Sequence, residues 1–114
     1  MRAIDPIHPG EQLREEFMKR LGISAEQLAV DLGVPAIHVV GIVEELCPVS
    51  SEMALRLARY FGTTARFWLD LQRDFDLEQT ALALGDRLDH EVKDGADGNH
   101  PYGGPDRRER TRLA

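Results

Sequence analysis

Four histidines and one cysteine are the residues of this chain best suited to a zinc site. They are His8, His38, His90, His100 and Cys47. The histidines lie far apart, and a single cysteine cannot complete a structural zinc site. His90 and Glu91 also lack the second histidine that a zinc-protease helix requires. We therefore expect no catalytic residue, no metal and no cofactor, and we interpret each histidine as a surface or capping residue.

The single cysteine also excludes an internal disulfide framework, which suits a reducing compartment. The start of the chain, Met1-Arg2-Ala3-Ile4-Asp5-Pro6, has no apolar run typical of a signal peptide, and no segment approaches membrane-spanning length. A length of 114 residues fits one small domain with a modest core. We expect a cytoplasmic protein without a membrane association.

Apolar residues recur at helical spacing along most of the chain and predict five helices. Helix one begins near Pro9 and ends at Gly22, where glycine can adopt the left-handed conformation. Helix two begins at the capping box Ser24-Ala25-Glu26-Gln27 and ends at Gly33. The residues expected to face the core in these two helices are Leu13, Phe17, Leu21, Ala25, Leu28, Ala29 and Leu32.

The same signals delimit the remaining helices. A tight turn, Gly33-Val34-Pro35, leads into helix three, Ser50 caps helix four, and helix five starts at Thr63-Thr64. The core residues predicted here are Val39, Ile42, Val43, Ala54, Leu57, Ala58, Phe61, Phe67, Trp68, Leu71 and Phe75. A further stripe of Leu77, Ala81, Leu84 and Leu88 continues this helix, although Gly85 weakens it by roughly 1 kcal/mol relative to alanine.

Two separated motifs resemble one known family. The first is His8-Pro9-Gly10-Glu11 followed by Leu13-Arg14-Glu15-Glu16-Phe17. The second is Ala54-Leu55-Arg56-Leu57-Ala58-Arg59-Tyr60-Phe61-Gly62-Thr63, which runs into Phe67-Trp68-Leu69 and Leu71-Gln72. Both resemble HigA-type antitoxins, the VapI-like branch of the Xre/Cro helix-turn-helix family, and the match spans about residues 7–80.

The resemblance implies an all-α, five-helix domain similar to Xre proteins and lambda repressor, with a C-terminal helical extension. It implies a homodimer that binds and neutralises a small basic ribonuclease toxin of the HigB type. It also implies that the dimer represses its own operon by placing helix three in the major groove of operator DNA.

The organisation that follows is a helix-turn-helix domain over residues 1–75 and a C-terminal helix over 76–93 that contacts a dimer mate or the toxin. The acidic side chains of that helix either steer a basic toxin or form a solvated face. Residues 94–114 are rich in Gly, Asp, Asn and Pro and poor in apolar side chains, which predicts a disordered tail.

Carried over by position, the DNA contacts fall at the starts of helices two and three. The candidate DNA-binding residues are Ser24, Ala25, Pro35, Ala36, Ile37, His38, Val40 and Gly41. Among the outward positions of helix three, only His38 can hydrogen-bond a base, while Ala36 and Ile37 can touch thymine methyl groups. Lys19, Arg20, Arg56 and Arg59 flank this unit and could reach the phosphate backbone.

From Leu21 to Leu55 the chain has no Lys or Arg and five carboxylates, a formal charge of −5. Because Lys and Arg supply most of the affinity for DNA phosphates, we expect DNA binding that is weak and shallow in its salt dependence, or lost. The alternative function is a protein-interaction module whose helix-turn-helix no longer binds DNA. Ile37 and Val40 would then contact a protein, or they pack on a neighbouring element or the dimer mate.

Overall fold

In the computed structural model, which describes residues 7–93 and 95, all regular secondary structure is helical. Helix α1 is continuous through an α-helical Pro9–Gln12, a π-helical Leu13–Met18 and an α-helical Lys19–Leu21. The other helices are α2 (Ala25–Leu32), α3 (Ala36–Val43), α4 (Ser51–Phe61), α5 (Ala65–Leu84) and α6 (Arg87–Glu91). The predicted all-α, five-helix fold with a helical extension is confirmed. The predicted disordered tail, residues 94–114, lies outside the described residues apart from Gly95.

The chain divides into two compact units, Met1–Leu82 and Ala83–Ala114. The first contains α1 to α4 and most of α5. In the second, Arg87 and Glu91 of α6 form an ion pair at 3.1 Å. Helix α5 runs unbroken across residues 75 and 76, so the predicted C-terminal helix begins as the second half of α5. The division into domains drawn from the sequence stays a prediction.

The helix ends follow local sequence signals. The glycines that end α1, α2 and α4 are Gly22, Gly33 and Gly62, all with φ between 65° and 77°. Ser24 caps α2 by accepting a hydrogen bond from the Gln27 N–H at 3.0 Å. The Gln27 side chain does not complete the predicted capping box, because its Nε2 donates to Asp31 Oδ1 at 2.9 Å instead. Ser24 is therefore the side chain that caps the start of α2.

The core is centred on Trp68, the largest fully buried side chain. Its indole N–H donates to Thr63 Oγ1 at 2.8 Å, which satisfies the one polar group of the ring. Phe17 packs beside it with ring centroids 5.1 Å apart, and Phe61 lies 4.8 Å from Phe17. The other buried apolar side chains are Leu13, Met18, Leu28, Ala29, Leu32, Val39, Ile42, Val49, Met53, Ala54 and Leu57.

The prediction that Leu21 faces the core is wrong, since its side chain is 60% exposed and Met18 is buried in this part of α1. The reason is the π-helical segment Leu13–Met18. A π-helix closes its hydrogen bonds between residues i and i+5, so the residues after it are rotated away from the spacing of 3.6 residues per turn. That rotation brings Met18 inward and turns Leu21 outward.

The sequence predicts that this helix continues through Gly85, but α5 ends at Leu84, just before that glycine. Gly85 has a φ of 58°, a left-handed conformation that stops the helix rather than merely weakening it. Leu77 and Leu82, in the second half of α5, remain 48% and 63% exposed. None of the described helices combines the length and apolar character needed to cross a membrane.

Candidate nucleic-acid interface

Helices α2 and α3 are two eight-residue helices joined by a short turn, which is the arrangement of a helix-turn-helix. Gly33 closes α2, and its N–H donates to the carbonyls of Ala29 and Val30. Pro35 then starts α3 from an extended conformation, with ψ at 144°. The first turn of α3 is consequently presented at the surface, where a recognition helix would meet DNA.

The back of α3 lies directly against the start of α1. A Cβ placed on Gly10 would lie 1.7 Å from the carbonyl oxygen of Ile42, so only glycine allows the two helices to approach this closely. His8 caps α1 at the same point, because its Nδ1 accepts a hydrogen bond from the Gly10 N–H at 2.8 Å. The interpretation of His8 as a capping residue is therefore confirmed. Its side chain is buried rather than on the surface.

The His8 imidazole packs edge-on against Phe75, with ring centroids 4.8 Å apart. Burial lowers the pKa of His8 below its ordinary value, while the carboxylates of Glu45 and Asp76 act in the opposite direction. A neutral ring is also what the cap requires, since a protonated Nδ1 could no longer accept from Gly10. His8 is thus a structural residue behind the candidate interface.

The end of α3 is held by Arg14, a contact that sequence reasoning missed. Arg14 donates through Nη1 to the Val43 carbonyl, and its Nη2 lies 3.3 Å from Glu45 Oε2. Glu45 has a φ of 62°, the left-handed conformation that glycine or asparagine adopts more readily. The ion pair with Arg14 accompanies this strained position just after the helix.

The candidate DNA-binding residues differ in exposure. The exposed ones are Ser24, Pro35, Ala36, Ile37 and His38, and the half-buried ones are Ala25 and Val40. Ile37 is 73% exposed, which makes an apolar side chain the most prominent feature of the first turn of α3. His38 lies in a hollow lined by Pro35, Ser50 and Arg56, between the starts of α3 and α4.

The predicted set of DNA-binding residues needs one correction. Gly41 is buried and does not face outward. The chain after α3 folds back over it, with the N–H groups of Leu46 and Cys47 donating to the Gly41 carbonyl at 2.9 and 3.1 Å. A Cβ on residue 41 would lie 2.7 Å from Cys47 Sγ. The outward positions of α3 are therefore Ala36, Ile37, His38 and Val40, without Gly41.

Three of the four flanking cations are already paired with carboxylates. Lys19 lies 2.8 Å from Glu15, and Arg20 lies 3.3 Å from Glu16. These pairs are exposed and weak, so phosphate could compete for both cations.

Arg56 is held more firmly, because it donates to the Leu32 carbonyl at 2.8 Å and also pairs with Glu52 at 2.9 Å. Arg59, by contrast, has no ion pair within residues 7–93. It lines a groove between α2 and α4 together with Asp31, Leu55 and Tyr60. Of the four cations, Arg59 is the one available to a phosphate without the loss of an existing contact.

Comparison with known proteins gives no matching family model. Virulence-associated protein I of Dichelobacter nodosus is 47% identical over 72 residues, which span 63% of this chain and 67% of that protein. Antitoxin HigA-1 of Vibrio cholerae is 33% identical over 75 residues, spanning 66% of this chain and 70% of that protein.

Solved structures extend the likeness to the fold. The Pseudomonas aeruginosa antitoxin HigA, solved with the higBA promoter, superposes with a TM-score of 0.75 and is 45% identical, covering 77% of this chain and 96% of its own. Antitoxin GraA in complex with its operator gives a TM-score of 0.75 and 46% identity, covering 82% of this chain and 94% of its own.

Proposed function

Because this chain belongs to the HigA-type antitoxins of the Xre/Cro helix-turn-helix family, we propose that it neutralises a HigB-like ribonuclease toxin and represses its own operon. The family consists of antitoxins and transcription regulators, not enzymes. The observation that carries the proposal is the α2–turn–α3 unit. It lies in a chain that shares its fold and 45% of its sequence with an antitoxin solved with its promoter.

Operator binding on this chain rests mainly on phosphate contacts. The exposed starts of α2 and α4 offer main-chain N–H groups to phosphate, and Arg59 has no ion pair within residues 7–93. Such contacts position a protein on DNA without reading its sequence. Base reading in the first turn of α3 falls to His38, which is exposed. We therefore propose weak operator binding with a shallow salt dependence, strengthened when two copies bind as a dimer.

Neutralisation rests on charge. The chain has a net charge of −6, and a ribonuclease needs positive charge to hold RNA. Opposite charges speed the encounter of the two proteins and suppress wrong partners. The exposed Leu77 and Leu82 of α5 provide apolar surface for a dimer mate.

Fluorescence anisotropy of the full chain on a labelled duplex from its own promoter tests the DNA arm. We expect micromolar binding at low salt and little change between two salt concentrations. Nanomolar affinity with a steep salt dependence would contradict the proposal. Co-expression with a small basic HigB-like ribonuclease tests the toxin arm, where rescue of growth and a stable complex are expected.

A second candidate function, a protein-interaction module that no longer binds DNA, is favoured by one observation. The outward face of α3 is apolar at Ile37, and no Lys or Arg occurs from Leu21 to Leu55. The anisotropy experiment separates the two functions. Absence of any shift at low salt, with toxin binding intact, would select the interaction module.

A further inference from the structure

One arginine of α4 is fixed against the turn between α2 and α3. Arg56 donates through Nη1 to the main-chain carbonyl of Leu32, the last residue of α2, at 2.8 Å. A Cβ placed on Gly33, the next residue, would lie 3.3 Å from the same nitrogen. The Arg56 side chain is nevertheless 39% exposed. One nitrogen of the guanidinium is therefore committed to the fold, while its charge stays at the surface.

The other edge of this guanidinium is occupied by a carboxylate of the same helix. Arg56 donates through Nε at 3.1 Å and through Nη2 at 2.9 Å to Oε2 of Glu52, one turn earlier in α4. The planar guanidinium binds the oxygens of carboxylates and of phosphates with the same pairs of N–H groups. Glu52 thus takes the place on Arg56 that a phosphate oxygen could take.

Both side chains lie beside the candidate base-reading residue. Glu52 and Arg56 line the hollow between the starts of α3 and α4, together with His38 and Ser50. His38 is exposed in the first turn of α3, the part of the helix-turn-helix that the proposed function places in the major groove. A side chain in this hollow therefore lies near the phosphate backbone when the first turn of α3 meets DNA.

We infer that Glu52 competes with DNA phosphate for Arg56 and thereby limits the affinity of the chain for its operator, an inference that rests on the proposed DNA binding. The Glu52 side chain is 74% exposed, so its pair with Arg56 is screened by solvent and phosphate can displace it. The displaced carboxylate stays within one helical turn of the phosphate and repels it. Arg56 consequently adds little to operator affinity, although it is a cation beside the interface.

The pair of Glu52 and Arg56 also has a local role in α4. Carboxylates in the first turn of a helix complement its dipole, and opposite charges at i and i+4 stabilise the helix. That role alone predicts a change in stability when Glu52 loses its charge and no change in DNA binding. Operator affinity is therefore the measurement that separates competition with phosphate from helix stabilisation.

The test is fluorescence anisotropy of the full chain on the labelled promoter duplex at several salt concentrations. Glu52→Gln removes the carboxylate charge at nearly constant shape, Arg56→Gln removes the cation, and a double variant removes both. Glu91→Gln is the matched control, because it breaks an i,i+4 ion pair with the same 3.1 Å distance, here to Arg87 Nε, outside the hollow. Circular dichroism verifies that each variant is folded.

We expect Glu52→Gln to bind the operator about tenfold more tightly at low salt, with a logarithmic salt slope steeper by about 0.9 for each new phosphate contact. Arg56→Gln should bind within about twofold of the unchanged chain, because its phosphate-binding edge is already occupied. The double variant should bind like Arg56→Gln, and Glu91→Gln should bind like the unchanged chain.

Each other outcome has a defined consequence. If neither the unchanged chain nor any variant binds the duplex at low salt, the proposed DNA binding falls and this inference with it. If the unchanged chain binds and Glu52→Gln has the same affinity and salt slope, only the inference is overturned. A gain that persists in the double variant, or that Glu91→Gln shares, would indicate a general effect of net charge and would likewise overturn it.

Discussion

Arg14, in the π-helical segment of α1, donates a hydrogen bond to the main-chain carbonyl of Val43, the last residue of α3. The same guanidinium pairs with Glu45 just beyond the helix. One side chain of α1 thereby satisfies a terminal carbonyl of α3 and pairs with two carboxylates, Glu15 of α1 and Glu45 beyond α3. The position of the candidate recognition helix thus depends on a residue 29 positions earlier in the chain.

Replacing Arg14 with alanine should lower the free energy of unfolding by about 1–2 kcal/mol, because a charged hydrogen bond to a part-buried carbonyl is lost. Urea denaturation followed by Trp68 fluorescence measures the change. Arg20→Ala is the control, since it removes only an exposed ion pair with Glu16 and should cost about 0.5 kcal/mol or less. Equal losses in the two variants would contradict a special role for Arg14.

Replacing Gly10 with alanine should destabilise the fold by about 3 kcal/mol or more, because the added methyl group would overlap the Ile42 carbonyl, a main-chain atom that cannot rotate away. Gly22→Ala provides the comparison. Gly22 has a φ of 65° and open space around it, so alanine there incurs only the left-handed penalty of about 1–2 kcal/mol. Thermal melting of both variants gives the order, and a larger loss at Gly22 would refute the close approach of α1 to α3.

Gln72 is buried in α5 and accepts a hydrogen bond from the Val49 N–H at 2.8 Å, between α3 and α4. Gln72→Leu should reduce stability by about 2 kcal/mol, since it leaves that buried N–H without its acceptor. Gln79→Leu, at an exposed position of the same helix, should change stability by no more than about 0.5 kcal/mol. Chemical denaturation of the pair checks the prediction.

Stability should fall as the pH is lowered from 8 to about 5.5. Burial lowers the pKa of His8 in the folded state, so the unfolded chain binds more protons once the pH drops below about 6.5. Lys19 and Arg14 lower the pKa of Glu15, and that contribution is lost only below about pH 4.5. Urea midpoints across this range give the slope. His8→Asn keeps a capping side chain without a titrating ring and should flatten it, and an unchanged slope would exclude His8 as the cause.

The segment Glu44-Glu45-Leu46 places two carboxylates directly after the last residue of α3. The triple change Glu44→Asn, Glu45→Gly and Leu46→Lys should raise operator affinity and steepen the logarithmic salt slope by about 0.9 for one new phosphate contact. Asp89→Asn with Glu91→Lys shifts the net charge by the same amount on α6 and should leave the slope unchanged. Anisotropy titrations at several salt concentrations compare the two, and a slope that changes equally in both would indicate only a net-charge effect.

Structural features that depend on residues within one turn of the chain could be predicted from the sequence. Gly22, Gly33 and Gly62 end their helices as their positions after apolar stripes indicate, and Ser24 caps α2. Properties created by tertiary contact could not be predicted. Leu21 turns outward because of a π-helical segment for which no simple periodicity exists.

In the candidate interface, too, some features could be predicted from local spacing and others depend on tertiary contacts. The exposure of Ile37 and His38 follows from the spacing of Val39 and Ile42 on the opposite side of α3. The burial of Gly41 depends on how the loop after α3 folds back, and no local signal gives that path. The left-handed φ of Glu45 could not be predicted either, because glutamate disfavours that conformation.

Gly41 and Cys47 form a coupled pair in any future divergence of this protein. A base-reading side chain at position 41 would collide with the thiol as it now lies, so that substitution is accessible only after residue 47 has shrunk or rotated. Residues 41 and 47 are therefore expected to change together, because a side chain at position 41 needs the space that the Cys47 thiol now fills.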